Sequence, residues 1–259
     1  MVDTFTPAVG ITLSSAEFTS YNAGTESSQT GTLNTALGAT FANGATLVTG
    51  EALAAGKDES WTITANFTVN PATITSAAGE CVLDSEEAGK GFYNYVESNI
   101  TEDKTDNDAC TNLPDPDINL VKTAVGPKLE IDGTYTVVYT VTATNHGNGP
   151  GKYDMVDTFS PAVGIYLDTA EFTSYNAGTE SSQTGNLDTA LGATFTNGAT
   201  LVTGEALAAG KDESWTITAN FTVIPEEFDG SESTCGIYGG EPGLGFYNYV
   251  DSNIDTEDK

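Results

Sequence analysis

Along much of the chain, apolar and polar residues alternate. From Trp61 to Val69, the residues Trp61, Ile63, Ala65, Phe67 and Val69 fall on one side and Thr62, Thr64, Asn66 and Thr68 on the other. A period of two is what a strand shows when one sheet face is buried and the other meets water. Tyr135 to Ala143 repeats it, with Tyr135, Val137, Tyr139, Val141 and Ala143 opposite a face made mostly of threonine. The same reading predicts strands at 118–123, 153–159, 165–175, 193–206 and 245–251. Turn formers separate them: Asn-His-Gly-Asn-Gly-Pro-Gly at 145–151, Asn197-Gly198, and Gly210-Lys211-Asp212. Short strands punctuated in this way predict an all-β chain of the sandwich type. The Ala-rich EALAAGK stretches hold no more than one turn of helix.

The pattern also recurs at long range. MVDTFTPAVGITL at Met1 returns as MVDTFSPAVGIYL at Met155, and residues 1–71 differ from 155–225 at only eight of 71 positions. Beyond Pro71 and Pro225 the copies diverge but keep register: Cys81 matches Cys235, and GFYNYVESNI from Gly91 matches GFYNYVDSNI from Gly245. Repetition at a fixed offset is the mark of a tandem array. The expected domains are 1–104 and 105–259. The first begins partway through its unit and is expected to lack the strands corresponding to 105–154, as though cut from a longer array.

Composition then narrows the function. At 38% hydrophobic residues the chain has enough apolar material for a core. Its 37 acidic residues face 8 basic ones, all lysine, for a net charge of −29. That balance opposes binding to nucleic acid or anionic membranes, both of which demand basic patches. No apolar run approaches the ~20 residues of a membrane-spanning helix. Cys81 closes the first copy and Cys110 opens the second, so a Cys81–Cys110 disulfide is expected, the alternative being two buried thiols. Such a bond implies an oxidising compartment. By the repeat, the partner of Cys235 belongs to a following unit.

INLVKT, then GTYTVVYTVTATNHGNGPG, then MVDTFSPAVG resembles the surface-protein repeat known as domain of unknown function number eleven. The likeness lies in a lysine-bearing strand, a Y-x-V-x-A-x-N-x-G strand and a V-D-T-x-x-P turn. It continues through the FYNYV strand and the cysteine-containing linker, and it spans 105–259 and the later part of the unit in 1–104. The resemblance implies tandem immunoglobulin-like β-sandwich domains in a large secreted or cell-surface protein of bacteria or archaea.

Candidate chemistry is sparse, and no enzyme activity is expected. The single histidine, His146, sits in the Gly-rich turn, so no histidine-based triad or zinc site can be assembled within the chain. The glycine-rich run 239–245 leads into a strand instead of a helix and reads as a loop. Asn66, Asn99 and Asn220 head glycosylation sequons. Asp103, Asp106, Asp108, Asp115 and Asp117 crowd the junction between the copies, where hard oxygen ligands suit Ca2+, the alternative being a solvated acidic linker.

Parity singles out one further set. Lys122 shares a face with Ile118 and Leu120, Asp157 with Met155 and Phe159, and Asn248 with Phe246 and Val250. Three polar groups on apolar faces need partners. Two arrangements satisfy them: an isopeptide bond between Lys122 and Asn248 assisted by Asp157, or a buried Lys122–Asp157 ion pair with Asn248 hydrogen-bonded to it. For the chain as a whole two functions are weighed. One is a repeat that polymerises with neighbouring repeats or copies of itself into an extracellular filament, tube or surface layer. The other is a passive stalk of a large adhesin.

Overall fold

The computed structural model describes residues 1–32, 45–81, 89–98, 108–177, 180–187, 199–228 and 244–252. It divides into two compact units, Met1–Pro114 and Asp115–Lys259. The boundary lies later than the expected 104/105. Residues 108–113 belong to the first unit because their backbone pairs there: Asn94 and Tyr95 are in register with Ala109 and Asp108, and Leu113 N–H donates to Gly79 O.

The first unit contains β1 (Val2–Phe5), β2 (Ile11–Asn22), β3 (Ser27–Thr32), β4 (Ala45–Thr46) and β5 (Glu59–Val69). These are followed by a single helical turn, α1 (Ser76–Gly79), then β6 (Asn94–Glu97) and β7 (Asp108–Ala109). They form two antiparallel sheets, ordered β4-β1-β6-β7 and β3-β2-β5. Thr75 caps α1 by accepting a hydrogen bond from the Ala78 amide.

The second unit contains β8 (Ile118–Leu129), β9 (Tyr135–Asn145), β10 (Gly151–Phe159), β11 (Ile165–Asn176), β12 (Ser181–Asn186), β13 (Ala199–Leu207), β14 (Asp212–Val223) and β15 (Asn248–Asp251). Its sheets are ordered β12-β11-β14-β9-β8 and β13-β10-β15. One apolar cluster joins them: Val137, Tyr139, Val141, Trp215, Ile217 and Phe221 from the larger sheet, with Tyr153, Met155 and Phe159 from the smaller. Two antiparallel sheets sharing one core are consistent with a β-sandwich.

The duplicated segments repeat their pairing residue by residue. Asp3 faces Val96 as Asp157 faces Val250, and Phe5 faces Asn94 as Phe159 faces Asn248. The β2–β5 and β11–β14 ladders carry the same irregularity, between Leu13 and Ser15 and between Leu167 and Thr169. One glycine shows why the copies agree. A Cβ on Gly185 would stand 2.4 Å from the Phe172 ring, and on Gly31 it would stand 2.5 Å from Phe18. Only glycine lets each ring lie across the neighbouring strand.

What differs is cover. Trp215, Ile217, Ala219 and Phe221 are fully buried, whereas Trp61, Ile63, Ala65 and Phe67 are only half-buried. In the second unit β9 pairs along the free side of β14. Among the described residues of the first unit β5 pairs with β2 alone. Identical side chains bury less surface there.

Candidate functional site

The expected trio comes together in the second unit. β8 turns Ile118, Leu120 and Lys122 inward and leaves Asn119, Val121 and Thr123 outside, as alternation requires. Lys122 sits opposite Val141 in the larger sheet, while Asp157 and Asn248 lie on paired strands of the smaller one. Lys122 Nζ donates to Asp157 Oδ1, and Asn248 Nδ2 donates to Asp157 Oδ2 at 2.8 Å. The lysine side chain is 13% exposed and the aspartate is fully buried. Tyr139 walls the amine, its ring centroid 5.5 Å from Nζ, and is anchored by its hydroxyl donating to Phe246 O at 2.6 Å.

Burial sets the electrostatics of this trio. Desolvation pushes the Lys122 ammonium below its ordinary pKa, with Asp157 opposing. Desolvation likewise pushes the Asp157 carboxyl up, opposed by Lys122 and Asn248. Both shifts favour the neutral forms. Asn248 Oδ1 is buried with no hydrogen-bond partner among the described residues.

The first unit holds the corresponding acid and amide. Asn94 Nδ2 donates to Asp3 Oδ2 at 3.2 Å and to Thr4 O at 3.1 Å. Burial raises the Asp3 pKa against that hydrogen bond, and Asp3 Oδ1 is buried without a partner among the described residues. No lysine acts on this carboxyl within the described part of the unit.

The second unit holds another buried polar cluster. Glu213 is fully buried and accepts from Tyr153 Oη at 2.6 Å and Asn176 Nδ2 at 3.3 Å, while Trp215 Nε1 donates to Tyr153 Oη at 3.0 Å. Burial raises the Glu213 pKa first, with the Tyr153 hydrogen bond opposing, and burial followed by Glu213 raises that of Tyr153. Glu213 stands two residues before Trp215, so the parity that flagged Lys122 flags it too. Asn145, the asparagine of the Y-x-V-x-A-x-N-x-G strand, is also fully buried. Its Oδ1 accepts from the amides of Asp117 and Gly147, and its Nδ2 donates to Gly149 O and Leu207 O. That clamp explains the Gly-rich turn beside it.

Cys81 and Cys110 lie at disulfide distance, with Cα atoms 5.8 Å apart. Gly91 makes room for the pair, since a Cβ there would lie 2.5 Å from Cys81 Sγ. Cys235 lies outside the described residues, as do Asn99, Asp103 and Asp106. Of the remaining acids, Asp108 accepts from Tyr93 Oη at 3.0 Å, and Asp115 and Asp117 are exposed. Among the described residues no group of three or more potential ligands is placed to hold a metal ion.

Asn66 is exposed and donates to Ser15 Oγ at 2.9 Å. Asn220 is engaged on both amide atoms, donating to Thr169 Oγ1 and accepting from Thr136 Oγ1, each at 2.8 Å. His146 is exposed in its turn. Tyr247 and Tyr249 stack with centroids 5.8 Å apart, as Tyr93 and Tyr95 neighbour each other at 6.1 Å. Among the described residues no helix is long and apolar enough to cross a membrane. Comparison with protein-family models and with curated proteins finds no match for the chain.

Proposed function

We propose that this chain is a structural repeat of an extracellular polymer, a filament, tube or surface layer, built from tandem immunoglobulin-like domains that bind neighbouring repeats or further copies. One observation carries the reading. Among the described residues β8 is the terminal strand of the five-stranded sheet, yet it and the turn after it expose Val121, Val125, Leu129 and Ile131, at 54%, 73%, 61% and 108%. Apolar side chains on an edge strand are a template for another chain. The repeated register supports the same conclusion, because interchangeable units are what an array needs. Disulfide-distance cysteines fit an oxidising exterior. The resemblance to the surface-protein repeat rests on its quoted motifs and agrees with both.

The passive-stalk reading has support in the same strand. Pro127 and Lys128 fall where the β8–β9 register shifts between Val125 and Lys128, and proline, lysine and irregularity are the devices that blunt sheet edges. Sedimentation velocity and negative-stain microscopy of the full chain separate the two. A polymer should form once salt screens the acidic surface, and Val125→Lys with Leu129→Lys should abolish it. Interfaces above ~1,000 Å² between copies would fit a polymer. A monomeric rod at every concentration and salt would leave the stalk.

A further inference from the structure

We infer that the second unit cross-links itself, through an isopeptide bond between Lys122 Nζ and Asn248 Cγ that joins its first strand to its last and its larger sheet to its smaller. The inference is independent of assembly and stands or falls on this one unit.

Three features of the site point to this reaction. Lys122 and Asn248 meet at the two oxygens of one carboxylate, so the amine and the amide are held side by side by Asp157. Little of the site meets water, with Asp157 fully buried, the Lys122 side chain only 13% exposed and Tyr139 beside the amine. A buried amine with a lone pair is a nucleophile, and effective concentration replaces an external catalyst. Finally, Asn248 Oδ1 has no donor among the described residues. The two ends of a carboxamide exchange by a half-turn about Cβ–Cγ, and their assignment follows the hydrogen-bond network. Once the proton of Lys122 moves to Asp157, the acid has a hydrogen to give. The amide then turns its oxygen toward Asp157, which satisfies the orphaned acceptor and makes the carbonyl carbon more electrophilic.

The atoms balance without any co-reactant. Transfer of a proton within the Lys122–Asp157 pair leaves a neutral amine and a neutral acid. The Nζ lone pair attacks Asn248 Cγ, giving a tetrahedral centre whose oxygen accepts from Asp157. Asp157 relays a proton from Nζ to Nδ2. The Cγ–Nδ2 bond breaks as the carbonyl re-forms, and ammonia departs. One C–N bond forms, one breaks, and nothing is oxidised or reduced. The first unit supplies the contrast, because Asp3 and Asn94 repeat the acid and amide with no lysine acting on that carboxyl among the described residues.

The test is the intact mass of the reduced, denatured full chain, followed by proteolysis and fragmentation. The expected mass is one ammonia below the sequence value, not two, with a branched peptide carrying Lys122 and Asn248. Lys122→Arg and Asp157→Ala should each restore the full ammonia count. If Asp157→Ala does not fold, the parent chain and the arginine variant still decide. A folded parent chain at full mass overturns the inference. So does an ammonia lost as a succinimide at Asn43-Gly44, Asn148-Gly149 or Asn197-Gly198 with Lys122 unmodified.

Discussion

Lys122→Met gives the sharpest thermodynamic test, because the two states of the trio predict different dependences on pH. If Lys122 and Asn248 are bonded, the unfolded second unit remains a closed loop of over a hundred residues, and losing the bond costs about 5 kcal/mol of chain constraint. Asp157 is then driven toward its neutral form in parent and variant alike, since both leave it buried without an ammonium. The difference between them should stay near ~5 kcal/mol as the pH is lowered. If only an ion pair is present, methionine orphans a buried carboxylate, at a cost of about 3–5 kcal/mol near neutrality. Removing Lys122 also takes away the strongest influence holding the Asp157 pKa down, so the raised folded value climbs further. An acid whose folded pKa is raised binds its proton more tightly when folded, so stability rises as the pH falls toward the ordinary value of 3.8. The ion-pair difference therefore shrinks on acidification. The assay is urea unfolding of parent and variant at a series of pH values, following the transition of the second unit. A difference that fades towards zero in acid would refute the cross-link.

Other expectations follow from the remaining buried groups. Tyr153→Phe strips Glu213 of a charge-assisted hydrogen bond and leaves Trp215 Nε1 unpaired, so urea unfolding should show the second unit weakened by about 2–4 kcal/mol. Because the Glu213 pKa is raised in the fold, the second unit should gain stability as the pH drops from neutral toward 4.5, and Glu213→Gln should flatten that part of the profile. Replacing Cys81 and Cys110 together by serine should lower the stability of the first unit by about 3–4 kcal/mol in thermal unfolding, leaving the second unchanged. Trp61 is half-buried and Trp215 fully buried, so acrylamide should quench the first, and Trp61→Phe should leave shielded emission; equal quenching of the two would contradict the difference in cover.

How far the sequence could be read depended on which signals were local. Strand alternation was enough to turn Lys122, Asp157 and Asn248 inward, and the structure places both partners on Asp157. The same alternation pointed at Glu213, but its partners Tyr153 and Asn176 lie on other strands, and only pairing brings them together. β12 carries no strand signal because Ser181–Asn186 has no apolar side chain and Ser181 to Thr184 are exposed, which leaves no apolar face to detect. The unit boundary slipped for a similar reason. Residues 108–113 look like an acidic linker locally, and what assigns them to the first unit is pairing with β6 and the Cys81–Cys110 contact. The candidate calcium ligands rest on their clustering at the junction between the copies, and two of the five, Asp103 and Asp106, lie outside the described residues.

The strand order has a mechanical consequence. A pull on the two ends of the second unit enters through β8 and leaves through β15, and these lie in different sheets. Tension therefore acts as shear between the sheets before it can peel any ladder apart. A polar contact that spans that shear plane is Lys122 against Asp157 and, through it, Asn248. Where Lys122 and Asn248 are joined covalently, load passes from one end of the unit to the other without straining the 125 residues between them, and the folded interior is spared the work of bearing it.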